Sequence, residues 1–271
     1  MKTSKPLTAV KILFATALAF CLLVPVYIMV INSFKPVADV FDGRLIPLQT
    51  SVDGYKLVAE HNFHIYFFNS LFVSTTITVV ALLFHSMAGY ALARLQFPGR
   101  HAVFLWILST LMIPFSVIMI PLFILVKQMG LLNSYWGMII PAIPHAYGIF
   151  LFRQFFLTIP LELEEAAGID GCTPFGTYLR IFLPLSKSIA ITLAVAFFIA
   201  NWNSYIWPLV VNQSQSKWVL QVAIADFIGR NDSPWNAIMA AGVIAVAPTI
   251  LLFFVLQKYL VEGVKMSGLK S

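Results

Sequence analysis

Charged side chains are scarce in this chain. Only 10% of its 271 residues are Asp, Glu, Lys or Arg, whereas 60% are hydrophobic. An ordinary soluble domain carries about 25% charged residues. An excess of apolar surface on this scale must be covered by lipid, which excludes a soluble enzyme or a soluble binding domain. The chain is therefore predicted to be an integral membrane protein.

Sequence motifs for catalysis are also missing. The chain has no Gly-x-x-x-x-Gly-Lys-Ser/Thr phosphate loop, no His-Glu-x-x-His zinc motif and no Gly-x-Ser-x-Gly nucleophile motif. We therefore expect no catalytic residue, no metal site, no cofactor and no ATP site of the usual kind. The two cysteines, Cys21 and Cys172, are predicted to lie at different levels, so no disulfide is expected.

Six apolar runs are long enough to cross a bilayer as helices, which takes about 20 residues each. None of the six contains an Asp or a Glu. The sequence thus predicts an all-α integral membrane protein, a single transmembrane domain over residues 1–271. The polar segment 32–70 is expected to be structured at the membrane surface. The predicted spans are approximately 12–31, 71–91, 102–126, 135–152, 189–211 and 237–256.

Lys and Arg are unequally distributed between the two sides of these spans. With the N-terminus inside, eleven of them lie on the cytoplasmic side and six on the other. Because cytoplasmic loops are rich in Lys and Arg, both termini and the loop 153–188 are predicted to be cytoplasmic. Lys2, Arg230 and Lys270 are among the Lys and Arg residues counted. The formal charge of +6 thus reflects orientation, and we expect no nucleic acid partner.

The loop 153–188 has the local signals of a helix-turn-helix. Pro160 suits a first helical position, and the glutamates that follow complement the positive end of a helix dipole. Gly171 is predicted to adopt the positive φ of a tight turn, with Thr173 capping the second helix and Pro174 at its first position. Ala166 and Ala167 are predicted to form a flat surface for another protein.

A fixed pattern of residues runs through this loop. Glu165-Ala166-Ala167 is followed after three residues by Gly171, and after nine more by Ile181-x-Leu183-Pro184. This pattern resembles the cytoplasmic loop of permease subunits in binding-protein-dependent ABC importers. Five other stretches are similar to the carbohydrate-uptake permeases of this family, in particular the second permease of maltose, glycerol-3-phosphate and multiple-sugar systems. They are residues 89–100, 112–132, 152–156 and 202–208, with 259–263 at the tail.

The resemblance implies a subunit that moves a sugar or sugar derivative into a bacterial or archaeal cell by alternating access. Its implied partners are a second permease, two ATP-binding subunits that hold ATP and Mg²⁺, and an extracytoplasmic solute-binding protein, all around a chain embedded in lipid. The residues implied to couple this chain to the ATPase are Glu164, Glu165, Ala166, Ala167, Gly171, Ile181, Leu183 and Pro184.

Polar residues gather near the end of the fifth predicted span. On a continuous helix, Asn201, Tyr205 and Pro208 would share one face, and Asn203 and Trp207 would form a second row. Amides and aromatic rings suit an uncharged sugar, so Asn201, Asn203, Tyr205 and Trp207 are candidates for the substrate pathway. Bonding between helices explains these polar residues equally well. The isolated histidines His85 and His145 are predicted to be interhelical hydrogen-bonding groups.

Two other classes of protein fit six apolar helices. A secondary transporter or channel would be driven without ATP, and it would need a coupling carboxylate or a charged filter. The spans offer neither. A membrane-anchored scaffold is the third possibility, and it would not need the cytoplasmic helix-turn-helix.

Overall fold

The computed structural model describes residues 5–229 and 234–268, and it describes side chains within residues 10–229 and 234–257. Lys2, Arg230 and Lys270 lie outside the described residues. Every regular element in the described part is helical. The thirteen main helices are α1 Lys5–Ser33, α2 Asp53–Glu60, α3 Phe63–Arg94, α4 Arg100–Ser109, α5 Phe115–Gln128, α6 Tyr135–Ala142, α7 Ala146–Leu157, α8 Glu162–Ile169, α9 Pro174–Leu185, α10 Lys187–Trp202, α11 Ile206–Val211, α12 Leu220–Gly229 and α13 Trp235–Gly268.

Within the described residues, three helices are long and apolar enough to cross a membrane without interruption: Val10–Ser33, Phe63–Arg94 and Trp235–Gln257. Three further pairs of helices pass the same test together but bend sharply. They are Arg100–Met112 with Phe115–Gln128 at 105°, Tyr135–Ala142 with Ala146–Leu157 at 42°, and Pro174–Leu185 with Lys187–Trp202 at 74°. If each bent pair is one span, the number reaches six. The prediction of an all-α membrane fold is confirmed.

Proline explains two of the bends. Pro114 has an extended backbone, with ψ 140°, between α4 and α5, and Pro144 lies between α6 and α7. A proline lacks the N–H that a helix interior needs. Before Pro114 the backbone of Ile113 is also extended, with ψ 114°, as the proline ring favours. Pro121 and Pro141, by contrast, remain inside helices.

Several helix bounds differ from the predicted spans. Helix α3 begins at Phe63, eight residues before the predicted start, and α7 continues to Leu157 inside the predicted loop 153–188. The larger difference is in the fifth span, because α10 ends at Trp202 and the backbone turns before α11 begins at Ile206. The predicted continuous helix over 189–211 is therefore wrong.

The described residues form two compact units. The first comprises the parts of the chain within 1–65 and 223–248, and the second those within 66–222 and 249–271. In the first unit, Gly54 lies so close to Asn236 that an added Cβ would be 2.8 Å from its carbonyl oxygen. A side chain there would force the two backbones apart.

The first unit contains an ion pair with a buried lysine. Lys35 is 1% exposed, and its Nζ donates to Asp42 Oδ1 at 2.8 Å and to the Arg44 carbonyl at 2.7 Å. The Asn236 amide donates to the Lys35 carbonyl at 3.1 Å. The hydrogen bond from the Lys35 ammonium lowers the pKa of Asp42 below its usual value of 3.8. This part of the segment 32–70 is thus a defined turn held by charge.

The second unit has two clusters of buried side chains. One lies between α3, α5, α6 and α11, with Val73, Met138 and Trp207 among its members. The other joins α3 to α7, α9 and α10 through Tyr90, Phe152, Phe156, Tyr178 and Phe182. We call the latter the basal cluster. It is the packed support of the helix-turn-helix.

Candidate functional site

The helix-turn-helix between Leu161 and Ser186 is the candidate coupling site. Its first helix, α8, ends in a Schellman motif: the N–H of Cys172 donates to the Ala167 carbonyl at 2.9 Å and that of Gly171 to the Gly168 carbonyl at 3.0 Å. Gly171 has φ +77°, so the predicted left-handed turn is confirmed. No other heavy atom would lie within 4 Å of a Cβ at this glycine.

The second helix, α9, begins as its sequence predicts. The Thr173 hydroxyl accepts a hydrogen bond from the Gly176 N–H at 3.1 Å, and Pro174 occupies the first turn. The prediction for Pro160 is wrong, because α8 begins at Glu162 with Leu161 as its N-cap. The glutamates of the first turn are Glu162, Glu164 and Glu165, as expected from the dipole.

Residues Tyr178–Phe182 of α9 form a π-helical turn. Pro184 follows two residues later and has no N–H to donate to the carbonyl four residues before it. Widened turns of this kind relieve such a mismatch and are frequent at functional sites. The bend of 74° into α10 comes directly after, at Ser186, whose N–H and hydroxyl are both bonded to carbonyls of the preceding turn.

The eight predicted coupling residues divide between two faces of the hairpin. Glu165, Ala166, Gly171 and Pro184 are exposed. Ala167 is only 5% exposed, and Ile181 and Leu183 are half-buried against the basal cluster. Glu164 is also half-buried. The predicted flat surface of two alanines is therefore wrong for Ala167, which faces the protein's own interior.

Exposed apolar side chains at the tip of the hairpin were not foreseen. Ile169 is 88% exposed, the highest value for any large apolar side chain among the described residues, and Phe175 is 56% exposed. Ile169 belongs to the three-residue gap of the sequence pattern, so the pattern gave no signal for it. An isoleucine at the corner of a polar loop is the signal that could have found it.

A polar stripe on α3 holds the hairpin in place. Ser86, Tyr90 and Arg94 are four residues apart, so they lie on one face of the helix. Each of the three contacts the hairpin. Ser86 Oγ lies 2.7 Å from the Tyr178 hydroxyl oxygen. The Tyr90 hydroxyl donates to the Pro174 carbonyl, and Arg94 forms an ion pair with Glu164. The sequence signal was present, as a period of four in an otherwise apolar span.

The candidate pathway residues do not form the predicted rows. The break after Trp202 separates Asn201 from Tyr205 and Asn203 from Trp207, so no common helical face exists. The amides of Asn201 and Asn203 donate to carbonyls one turn back in α10, at 2.8 and 2.9 Å. Trp207 is 7% exposed inside an apolar cluster, whereas Tyr205 is 40% exposed. The two amides thus cap the end of α10.

The prediction for His85 is confirmed. Its Nε2 lies 2.8 Å from the Ile143 carbonyl oxygen and 3.1 Å from the His145 backbone nitrogen. Both groups belong to the break between α6 and α7, where the helical ladder leaves backbone groups without partners. The ring of His145 packs against Phe197. His85 therefore connects α3 to the break of a neighbouring span.

Comparison with known families identifies the chain. Residues 85–266 match the family described as binding-protein-dependent transport system inner membrane component. The chain belongs to this family. The matched region contains the hairpin and begins at His85 in α3. This inner membrane component is accordingly a multi-pass membrane protein, as its helices require.

Curated relatives of this inner membrane component are permease proteins. The arabinooligosaccharides transport system permease protein AraQ of Halalkalibacterium halodurans is 34% identical over 262 residues, covering 94% of this chain and 93% of the relative. The lactose transport system permease protein LacG of Rhizobium radiobacter is 32% identical, covering 90% of each. The sn-glycerol-3-phosphate transport system permease protein UgpE of Agrobacterium fabrum is 33% identical, covering 79% and 77%.

A solved structure has the same fold as this inner membrane component. It is described as a bacterial ABC transporter involved in the import of the acidic polysaccharide alginate. The matching chain aligns with a TM-score of 0.86 and 26% identity, covering 96% of this chain and 99% of that one. The bent spans and the hairpin therefore belong to a fold that exists in an assembled transporter.

Proposed function

We propose that this chain is the permease subunit of an ATP-driven importer that moves a sugar or sugar derivative across the membrane. The family membership supports the transport role. The relatives named above are permeases for an arabinooligosaccharide, lactose and glycerol 3-phosphate. These solutes share hydroxyl-rich character and differ in size and charge, so the proposal extends to the class and to no single sugar.

The exposed tip of the hairpin is the observation that carries the proposal. Ile169 is almost fully exposed, although it lies in a polar loop outside the apolar spans. Acidic residues precede it in the first turn of α8, and Phe175 follows it in α9. An apolar side chain with charged neighbours is the usual composition of a protein interface with a buried centre and a polar rim. The occupant proposed here is an ATP-binding subunit.

The orientation follows from the charge of the segments between spans. With both termini and the hairpin in the cytoplasm, the ATP-binding subunits contact the hairpin from below. They hold ATP and Mg²⁺, because this chain has no phosphate loop. A solute-binding protein then docks on the opposite side, and a second permease covers apolar helix surface of this chain. This chain contributes no catalytic residue.

Transport in this scheme is alternating access between two arrangements of the spans. Closure of the ATP-binding subunits displaces the hairpin, and the hairpin moves the helices packed on it. The breaks in three of the spans are places where the helices can change direction. Asn203 and Tyr205, exposed beyond the end of α10, remain candidates for the solute pathway together with Asn201.

A crosslinking experiment tests the contact. Ile169→Cys is made in a chain whose native Cys21 and Cys172 are replaced by serine, and cells are treated with a short thiol-to-amine crosslinker. We expect a crosslinked product that is also labelled by a photoreactive ATP analogue. Met112→Cys is the matched control, because Met112 is 84% exposed but lies in the break of a span.

The two cysteine variants must behave differently. The proposal predicts the ATP-labelled product for Ile169→Cys and its absence for Met112→Cys. If Ile169→Cys gives no product that binds the ATP analogue, the hairpin does not contact an ATPase and the proposal is wrong.

A further inference from the structure

The polar stripe of Ser86, Tyr90 and Arg94 connects α3 to both helices of the hairpin. Arg94 reaches Glu164 in α8, with Nη1 3.6 Å from the carboxylate oxygen. Tyr90 donates to the carbonyl of Pro174, the first residue of α9, at 3.0 Å. Ser86 is bonded at 2.7 Å to the hydroxyl of Tyr178, in the π-helical turn. One face of α3 thus contacts the start, middle and end of the hairpin.

Arg94 has the largest number of partners in the stripe. Its Nη2 donates to the carbonyls of Phe156, at 2.6 Å, and Ile159. These carbonyls lie at the C-terminal end of α7, where a helix leaves acceptors without partners and favours a positive charge. Its guanidinium also lies 5.1 Å from the centre of the Phe182 ring. The side chain is 8% exposed, so water does not compete for these contacts.

The neighbouring stripe residues are held just as firmly. Tyr90, Ser86 and Tyr178 are each buried, and the Tyr90 ring packs on Phe182 at 4.9 Å between ring centres. A hydrogen bond broken in such surroundings leaves a buried polar group without a partner. Displacement of the hairpin without α3 would break two such hydrogen bonds and the Arg94–Glu164 ion pair together. The contacts therefore favour movement of the two as one body.

Helix α3 differs from the other spans that support the hairpin. The chain enters the hairpin from α7 and leaves it into α10, but α7 is separated from α6 by a break and α10 meets α9 at a bend of 74°. Helix α3 is unbroken over 32 residues, a length of about 48 Å at 1.5 Å per residue. It has no direct chain connection to the hairpin, so its coupling depends on side-chain contacts.

We propose that Ser86, Tyr90 and Arg94 transmit the movement of the hairpin to α3, which carries it along the length of a span. They are positioning residues, since they act through the hairpin and contact neither solute nor nucleotide. This inference rests on the proposed function, in which the hairpin is moved by an ATPase. It assigns the transmission to a helix distant in sequence from the coupling loop.

A distance measurement tests whether the hairpin and α3 move together. Spin labels are placed at Asp170, exposed at the hairpin corner, and at Phe72, 48% exposed near the other end of α3. The complex is purified through a tag on this chain and compared without nucleotide and after trapping with ATP and vanadate. With the stripe intact, we expect one distance that is the same in both states. With Tyr90→Phe and Arg94→Gln combined, we expect the distance to change on trapping.

A second measurement compares solute transported with ATP hydrolysed, in proteoliposomes and with lactose, an arabinooligosaccharide and glycerol 3-phosphate as probes. We expect this ratio to fall about fivefold or more in the double variant, the lower range of typical coupling energies. Arg94→Lys should restore part of the loss, because an ammonium keeps the charge but not the forked geometry of a guanidinium.

Matched controls separate transmission from general packing. Tyr135→Phe removes a tyrosine hydroxyl bonded to Asn69 at 2.7 Å, and Arg153→Gln removes an arginine that donates to the Leu92 carbonyl and lies over the Phe104 ring. None of these contacts involves the hairpin. The pair of controls should leave both the distance and the ratio as in the unmodified chain.

Several outcomes would contradict the inference. If the double variant keeps the single distance in both states, or if its ratio equals that of the controls, the inference is wrong. A loss that matches the loss of assembled complex, with the ratio unchanged, also contradicts it. If no ATP-hydrolysing subunit purifies with the tagged chain, the proposed function fails. If one does purify, the distance measured after trapping with ATP and vanadate decides the inference by itself.

Discussion

Gly171 offers the sharpest test of the hairpin's geometry. Its φ of +77° lies in the left-handed region, and the surroundings leave open space where a Cβ would be placed. Gly171→Val therefore creates no clash with the rest of the chain, and the cost comes from the backbone alone. For a β-branched residue forced into this region we expect about 1–3 kcal/mol.

The protein can relieve that strain by changing the turn. The spans and the basal cluster do not depend on this φ, so the chain should still insert into the membrane. The corner of the hairpin, with Ile169 two residues away, would leave its docking position. If the full strain opposes docking, coupling falls by about 5- to 150-fold, the equivalent of 1–3 kcal/mol. The measurements are solute uptake by cells, membrane abundance by blot and co-purification with the ATP-binding subunit.

Two other glycines supply matched controls. Gly130 has φ +70° and equally open surroundings, but it lies in the turn after α5, away from the hairpin. Gly130→Val should carry similar strain without uncoupling. Gly168 is helical and exposed in the hairpin itself, and Gly168→Ala should be neutral or stabilising by up to about 1 kcal/mol. If Gly171→Val transports at the normal rate, or if Gly130→Val uncouples to the same degree, the reasoning about the hairpin is refuted.

Four further predictions follow from particular residues. In a chain with exposed Ser214 changed to cysteine, an impermeant thiol reagent should label that position from outside and should not label Cys172; the reverse pattern would overturn the orientation. His85→Phe should lower the midpoint of thermal unfolding, because it leaves a backbone group of the α6–α7 break without its partner, at a cost of about 1–3 kcal/mol, and an unchanged midpoint contradicts this role. The pKa of Asp42 is lowered in the folded chain. Its contribution to stability is therefore complete above pH 3.8 and is lost as the pH falls through the lower pKa of the folded state. Asp42→Asn should abolish this acid dependence of unfolding, and persistence of the dependence would exclude Asp42 as its source. Asn201→Leu should reduce solute uptake while the complex still assembles, and equal loss of assembly would assign Asn201 to helix capping alone.

Local signals predicted the hairpin well. The turn at Gly171 and the cap at Thr173 depend on residues within a few positions of each other, and both are present in the structure. Hydropathy likewise identified the apolar helices, because a lipid environment imposes a length and a composition that the sequence must satisfy. Features of this kind depend only on residues that are close together in the sequence.

Features that depend on distant partners were missed. Ala167 carries the same sequence signal as Ala166, and only the packing of the hairpin shows that it faces inward. The buried state of Lys35 depends on Asp42, seven residues away across a turn, and on the backbone of Arg44. The four-residue spacing of Ser86, Tyr90 and Arg94 shows that they share one face of α3, but it cannot show which other helix packs against that face.

The break in the fifth span could have been predicted. Pro208 lies in the first turn of α11, a position where a proline replaces no helical hydrogen bond. Together with the polar residues 203–205 just before it, that proline indicates a new helix start, as Thr173 and Pro174 do in the hairpin. Hydropathy concealed this signal, because α11 is as apolar as α10, and an average over residues 189–211 does not distinguish two helices with a break from one continuous span.

The energy source of transport tests the central claim most directly. The complex is reconstituted in proteoliposomes with its solute-binding protein, and uptake of a labelled probe sugar is measured with ATP on the side of the hairpin, or with an imposed proton or sodium gradient and no ATP. The account predicts uptake with ATP, none with a gradient alone, and loss of the ATP-driven uptake in Gly171→Val. Uptake driven by an ion gradient without ATP would contradict it and would instead identify a secondary transporter.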